Sequence, residues 1–196
     1  MTLPNKLTLI RIFLIPVMII IYYIPWFTDN IAFLNVTWLY LVEFVIFLIA
    51  SVTDFFDGHI ARSKNLVTTF GKFADPLADK MLVFSAMAIL MCDTTELSVT
   101  GRLMPMWAFV IMIIREFMVS GIRMLVASKG VVIAAGKLGK FKTFTTMVAI
   151  CVLFFSQLHP VIAYSGQILM YVACIFTVVS GIEYFWKSRK VIFESI

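Results

Sequence analysis

Apolar residues in this chain do not alternate with polar ones or recur at a single helical spacing. They run in long blocks separated by short charged stretches. Six blocks approach the roughly 20 residues a helix needs to cross the hydrocarbon of a bilayer. They cover Leu7–Trp26, Val36–Phe56, Leu77–Cys92, Leu103–Ala127, Phe141–Leu158 and Val161–Phe185. The third is short when counted from Leu77, so its helix is expected to start earlier, near Thr69. Backbone groups in lipid must be hydrogen-bonded internally, so each block predicts a helix and not an open strand. The expected fold is an all-α integral membrane protein, six transmembrane helices in one domain over 1–196. Pro16 is expected to bend the first span.

Composition strengthens that reading. The chain is 62% hydrophobic and 14% charged, against about 45–50% and about 25% in soluble domains. Its mean hydropathy is +1.01. Too few polar side chains remain to coat a water-facing globule, which excludes a disordered chain, a nucleic-acid-binding tail and almost any soluble fold. Cys92, Cys151 and Cys174 show no disulfide or metal spacing and are expected to be small buried residues. The first block follows a basic start, as a signal peptide would. Pro25-Trp26-Phe27-Thr28-Asp29 offers no small-residue cleavage site, so a retained span is expected.

The formal charge of +5 matters through its distribution. Lys6 and Arg11, then Arg62, Lys64, Lys72 and Lys80, then Lys129, Lys137, Lys140 and Lys142, then Lys187, Arg189 and Lys190 occupy alternate connections. The positive-inside rule then puts both termini and the second and fourth loops in the cytoplasm.

Acids at membrane depth are costly and point to function. Asp54 and Asp57 lie i,i+3 at the end of the second block. Asp75 and Asp79 lie i,i+4 at the start of the third. Each pair shares a helix face, and neighbouring antiparallel helices can turn both pairs into one pocket. Four carboxylates there call for a hard divalent cation, Mg²⁺ or Mn²⁺, and have room for two ions. Taken singly, Asp54 or Asp75 could instead cap a helix, and Asp57 could pair with Arg62. Gly58, Ala61 and Gly71 allow close approach of a backbone or a flat ligand. Arg62 offers a fork suited to a diphosphate.

Asp54-Phe-Phe-Asp57-Gly58-His-Ile-Ala61-Arg62, eight residues, then Gly71-Lys-Phe-Ala-Asp75-Pro-Leu-Ala-Asp79 reads D-x2-D-G-x2-A-R-x8-G-x3-D-x3-D. This pattern resembles the signature of the CDP-alcohol phosphotransferase family at all its fixed positions. Further blocks resemble the bacterial branch that acts on glycerol phosphate. They are Pro4 to Thr8, Thr69 to Lys80, Arg115-Glu116-Phe117 with Ser120-Gly121-Ile122-Arg123, and Gly139 to Thr143. The resemblance implies six transmembrane helices, a homodimer, and condensation of CDP-diacylglycerol with sn-glycerol 3-phosphate to phosphatidylglycerol phosphate and CMP.

On that basis Asp54, Asp57 and Asp75 are the expected metal ligands. Asp79 completes a second metal site and is the candidate general base. Gly58, Ala61, Arg62 and Gly71 form the CDP side. Glycerol 3-phosphate needs its own anion site, and Arg115, Arg123, Lys137, Lys140 and Lys142 are the candidates. Arg115 lies inside the fourth span and must face a polar cavity or a partner. Its neighbour Glu116 is not its helical mate and is expected to point elsewhere. The loop-four lysines could instead serve topology or hold anionic lipid. His59 is expected at the surface, and Glu43 and Glu183 have no assigned role. Rival readings are an enzyme of the same family with inositol phosphate or serine as acceptor, a membrane prenyltransferase, and a cation carrier using the aspartates.

Overall fold

The computed structural model describes residues 3–63, 69–94, 101–128 and 136–193, with backbone alone at 3–4, 54–63, 69–70, 72–73, 128, 137, 190–191 and 193. Six long helices coincide with the six apolar blocks. They are α1 (Leu3–Tyr22), α3 (Trp38–Ser63), α4 (Thr69–Cys92), α5 (Met106–Ser128), α6 (Lys137–Leu153) and α7 (Pro160–Phe193). The third does begin at Thr69.

Several boundaries differ from expectation for local reasons. α1 stops at Tyr22, and Pro25 opens the short helix α2 (Pro25–Asp29). Proline lacks an N–H and suits a first turn. A hairpin of two short antiparallel strands follows, β1 (Ile31–Phe33) and β2 (Val36–Thr37). It turns through Leu34 and Asn35 at φ 40° and 69°. Nothing in the apolar pattern announced it, since strands this short carry too few positions to show a period of two. α6 ends at Leu153, before Leu158, and α7 continues past Phe185 into the charged Lys187–Arg189 turn. Cys92 is exposed because it ends α4, contrary to the expectation of burial; Cys151 is half-buried and Cys174 buried, and all three are free.

Two of the described helices, over Asn5–Tyr22 and Pro160–Arg189, are long and apolar enough to cross a membrane. α3 carries a shorter apolar stretch, Trp38–Thr53. α4 and α5 miss the same standard because one half of each is charged: Asp75, Asp79 and Lys80 in α4, Arg115, Glu116 and Arg123 in α5. α6 has only 17 residues. Outward faces remain apolar throughout, with Phe13, Ile49, Phe117, Phe144 and Ile175 all exposed. Such faces suit lipid and not water, and the chain is an all-α, membrane-associated protein.

The helices pack as two trios. α1 lies against both α3 and α4, and α7 lies against both α5 and α6. α4 joins the trios through α5 and α6. Met18, Phe47, Leu82 and Met87 fill the first trio. In the second, Gly166 lets α7 approach α6 so closely that an added Cβ would sit 2.7 Å from Leu153 Cδ2. At the end of α4 remote from the aspartates, Tyr40 donates a hydrogen bond to Asp93, whose carboxyl is pushed above its usual range by burial. Glu43 is fully buried in α3, and neither carboxylate oxygen meets a hydrogen-bond partner among the described residues.

Candidate active site

The acidic end of the site is built where α3 runs out and α4 begins. Asp54, Asp57, Gly58, Ala61 and Arg62 all fall on the last turns of α3; their side chains lie outside the described residues. Gly71 is buried in the first turns of α4. Asp75 and Asp79 follow, one turn apart on α4. Thr8, buried in α1, donates its hydroxyl to Asp75 Oδ1, so α1 fixes the orientation of that carboxylate across 67 residues of sequence. Among the described residues no three Asp, Glu, His or Cys side chains converge, as the α3 half of the quartet is not among them.

Beside Asp79 opens a cavity of about 790 Å³ bounded by α4, α5, α6 and α7. Among the described residues six cationic side chains line it: Lys80, Arg115, Arg123, Lys140, Lys142 and Lys187. Three carboxylates, Asp79, Glu116 and Glu183, oppose them. Four of the five expected anion-site residues therefore meet around one space, together with Asp79. The side chain of Lys137, at the start of α6, is outside the described residues. Asp75 does not line the cavity and is engaged with α1 instead.

Glu116 corrects the expectation that it points away from Arg115. Its Oε1 accepts from Arg115 Nη1 at 2.7 Å and from Lys142 Nζ at 2.5 Å, and its Oε2 lies 4.0 Å from Lys80 Nζ. Adjacent residues on a helix do not face each other, but a long guanidinium can fold back to its neighbour. Arg115 also donates through Nη2 to Ser180 Oγ at 2.9 Å. Gly181 makes room for it: an added Cβ there would lie 3.0 Å from Arg115 Cγ. Lys80 donates to Ser120 Oγ, which in turn donates to the Glu116 backbone carbonyl at 2.7 Å. Arg123 sits 6.0 Å over the Tyr184 ring. Glu183, unassigned from sequence, accepts from Lys187 one turn on.

A family profile described as CDP-alcohol phosphatidyltransferase matches residues 1–179. The chain belongs to the CDP-alcohol phosphatidyltransferase family. Full-length similarity agrees with that membership. A Bacillus subtilis protein is 43% identical over 195 residues, covering 96% of this chain and 97% of its own. A Rickettsia typhi protein is 37% identical over 194 residues, covering 97% and 98%. A Salmonella typhimurium protein is 35% identical over 191 residues, covering 95% and 94%. Each of these relatives is named CDP-diacylglycerol–glycerol-3-phosphate 3-phosphatidyltransferase.

In this CDP-alcohol phosphatidyltransferase, sequence reasoning missed Thr8, Lys80, Glu116 and Ser180 as site-shaping residues. Thr8 and Ser180 carry no signal of their own, being common polar residues in apolar helices. Glu116 did carry one: an acid beside an arginine inside a span is costly unless both are paired.

Proposed function

We propose that the chain transfers the phosphatidyl group of CDP-diacylglycerol to sn-glycerol 3-phosphate, releasing CMP and phosphatidylglycerol phosphate. The observation that carries this reading is the shared cavity. A candidate base, Asp79, and the cations of α4, α5 and α6 line the same space, as an anionic acceptor meeting a reacting centre requires. The full-length relatives named for this reaction support the choice of substrates.

The acids at the α3–α4 junction suit a divalent cation, Mg²⁺ or Mn²⁺, at one or two positions. Carboxylates are the hard oxygen donors these ions take, and the Thr8 hydroxyl bond to Asp75 is the kind of outer support that orients a ligating carboxylate. Asp54, Asp57, Asp75 and Asp79 would hold the metal. When bound, the metal neutralises diphosphate charge and stabilises the departing CMP. Gly58, Ala61, Arg62 and Gly71 form the nucleotide side, with Arg62 on the phosphates. Arg115, Arg123, Lys137, Lys140 and Lys142 take the phosphate of the acceptor. Asp79 accepts the proton from the acceptor's free primary hydroxyl. That oxygen attacks the phosphorus bearing diacylglycerol, and the bond to CMP breaks with its electron pair leaving on CMP.

Placement follows the same chemistry. Six helices cross the plasma membrane with both termini and the two basic loops cytoplasmic, supported by the alternation of Lys and Arg. The acyl tails stay in lipid while the nucleotide meets a water-soluble acceptor at the cytoplasmic boundary. The working form is a homodimer, as the family resemblance implies. The test is a product assay on purified full chain with defined CDP-diacylglycerol and labelled glycerol 3-phosphate. One CMP per phosphatidylglycerol phosphate is expected, lost with chelator and restored by Mg²⁺ or Mn²⁺. Turnover with serine or inositol phosphate but none with glycerol 3-phosphate would overturn the acceptor assignment.

A further inference from the structure

Glu116, in the cavity wall, engages charged side chains from three helices. It holds Arg115 of its own helix, Lys142 of α6 and, at longer range, Lys80 of α4. Arg115 extends the connection to α7 through Ser180. All three members of the close cluster are largely buried, with side-chain exposures of 14% for Arg115, 12% for Lys142 and 13% for Glu116. Buried cations without a counter-charge repel one another and are costly. A single carboxylate among Lys80, Arg115 and Lys142 removes much of that repulsion, and across the cavity the described cations still outnumber the carboxylates, six to three. A phosphate monoester carries about −1.5 to −2 at neutral pH, an anion that this cationic surplus suits.

We propose that Glu116 is the positioning residue of the acceptor pocket: it aims Arg115 and Lys142 at the phosphate monoester without touching the acceptor itself. This rests on the reading of the cavity as the glycerol 3-phosphate site. The sign of one measurement separates positioning from plain electrostatics. If Glu116 only subtracted positive charge, removing its charge would strengthen anion binding. If it positions the cations, removing its charge weakens binding, because charge-assisted bonds lose their geometry.

The experiment is steady-state kinetics of the purified full chain with both substrates varied. Glu116→Gln is expected to raise KM for glycerol 3-phosphate about tenfold, the size of one charge-assisted hydrogen bond. KM for CDP-diacylglycerol should change less than about twofold, since uniform loss of fold would move both. Glu116→Asp, which keeps the charge on a shorter stem, should recover part of the loss. A fall or no change in the acceptor KM of Glu116→Gln overturns the proposal. If that variant does not fold, Glu116→Asp and Lys142→Met decide. A selective rise in acceptor KM in both upholds positioning; parallel loss for both substrates overturns it. Arg115→Ala run alongside tests the underlying reading. No acceptor effect there removes the site assignment itself, while an acceptor effect in Arg115→Ala with none in Glu116→Gln removes only the role of Glu116.

Discussion

On one side of the cavity α4 brings Asp79, with Asp75 one turn away and held by Thr8 of α1; on the other, α5, α6 and α7 bring most of the described cations. The aspartates come from one helical hairpin with fixed spacing, and a partner from α1 sets one of them. The described cations come from four helices, Lys80 of α4 included, and are organised by contacts 26 and 65 residues apart in sequence. Under the proposed function, the difference separates two tasks. Gripping a metal and a nucleotide diphosphate needs close donors at set intervals, which one hairpin can supply. Gripping a small anionic acceptor needs an electrostatic chamber, which only packing of several helices can enclose.

Mutations on the acidic side should have the largest effect. If the proposed metal set is right, Asp54→Asn, Asp57→Asn or Asp75→Asn should lower kcat on the order of a thousandfold or more. The protein should still insert in membranes, checked by its recovery in the detergent-extracted fraction. Near-normal turnover in any one of them would take that residue out of the metal set. On the cationic side, Arg115→Ala should raise KM for glycerol 3-phosphate roughly ten- to hundredfold with a much smaller change for CDP-diacylglycerol. Equal effects on both substrates would break the division between the two sides. The smallest expected effect lies in the scaffold of the cationic trio. Gly166→Ala drives a Cβ to within 2.7 Å of Leu153, and overpacking of this kind costs about 1–3 kcal/mol. It should lower Tm in detergent while leaving both KM values close to normal; a selective acceptor defect would show that the α6–α7 crossing sets the pocket directly.

The two sides were also unequally legible. The aspartates stood out because acids at membrane depth are rare and because their intervals match helical turns. The start of α4 at Thr69 was legible because the apolar block counted from Leu77 is too short to span a bilayer. Arg115 and Arg123 stood out as charges inside an apolar block, and the structure brings both to the cavity with Lys140 and Lys142. What stayed hidden was pairing. That Glu116 would bind its own neighbour and Lys142 depends on how α5 and α6 are rotated about their axes, and long apolar blocks with lipid on one side constrain rotation weakly. Thr8 was hidden for a similar reason, as its link to Asp75 crosses 67 residues. The β1–β2 hairpin rests on two left-handed residues, Leu34 and Asn35, and leucine gives no warning of that conformation.

The division of labour is tested most directly by equilibrium binding of each substrate to the purified full chain with the divalent metal stripped by chelator. If the cations of α5 and α6 hold the acceptor independently of the aspartate end, glycerol 3-phosphate still binds under chelation while binding of CDP is lost. Loss of glycerol 3-phosphate binding in parallel with that of CDP would contradict it, since both substrates would then depend on the same acidic end of the site.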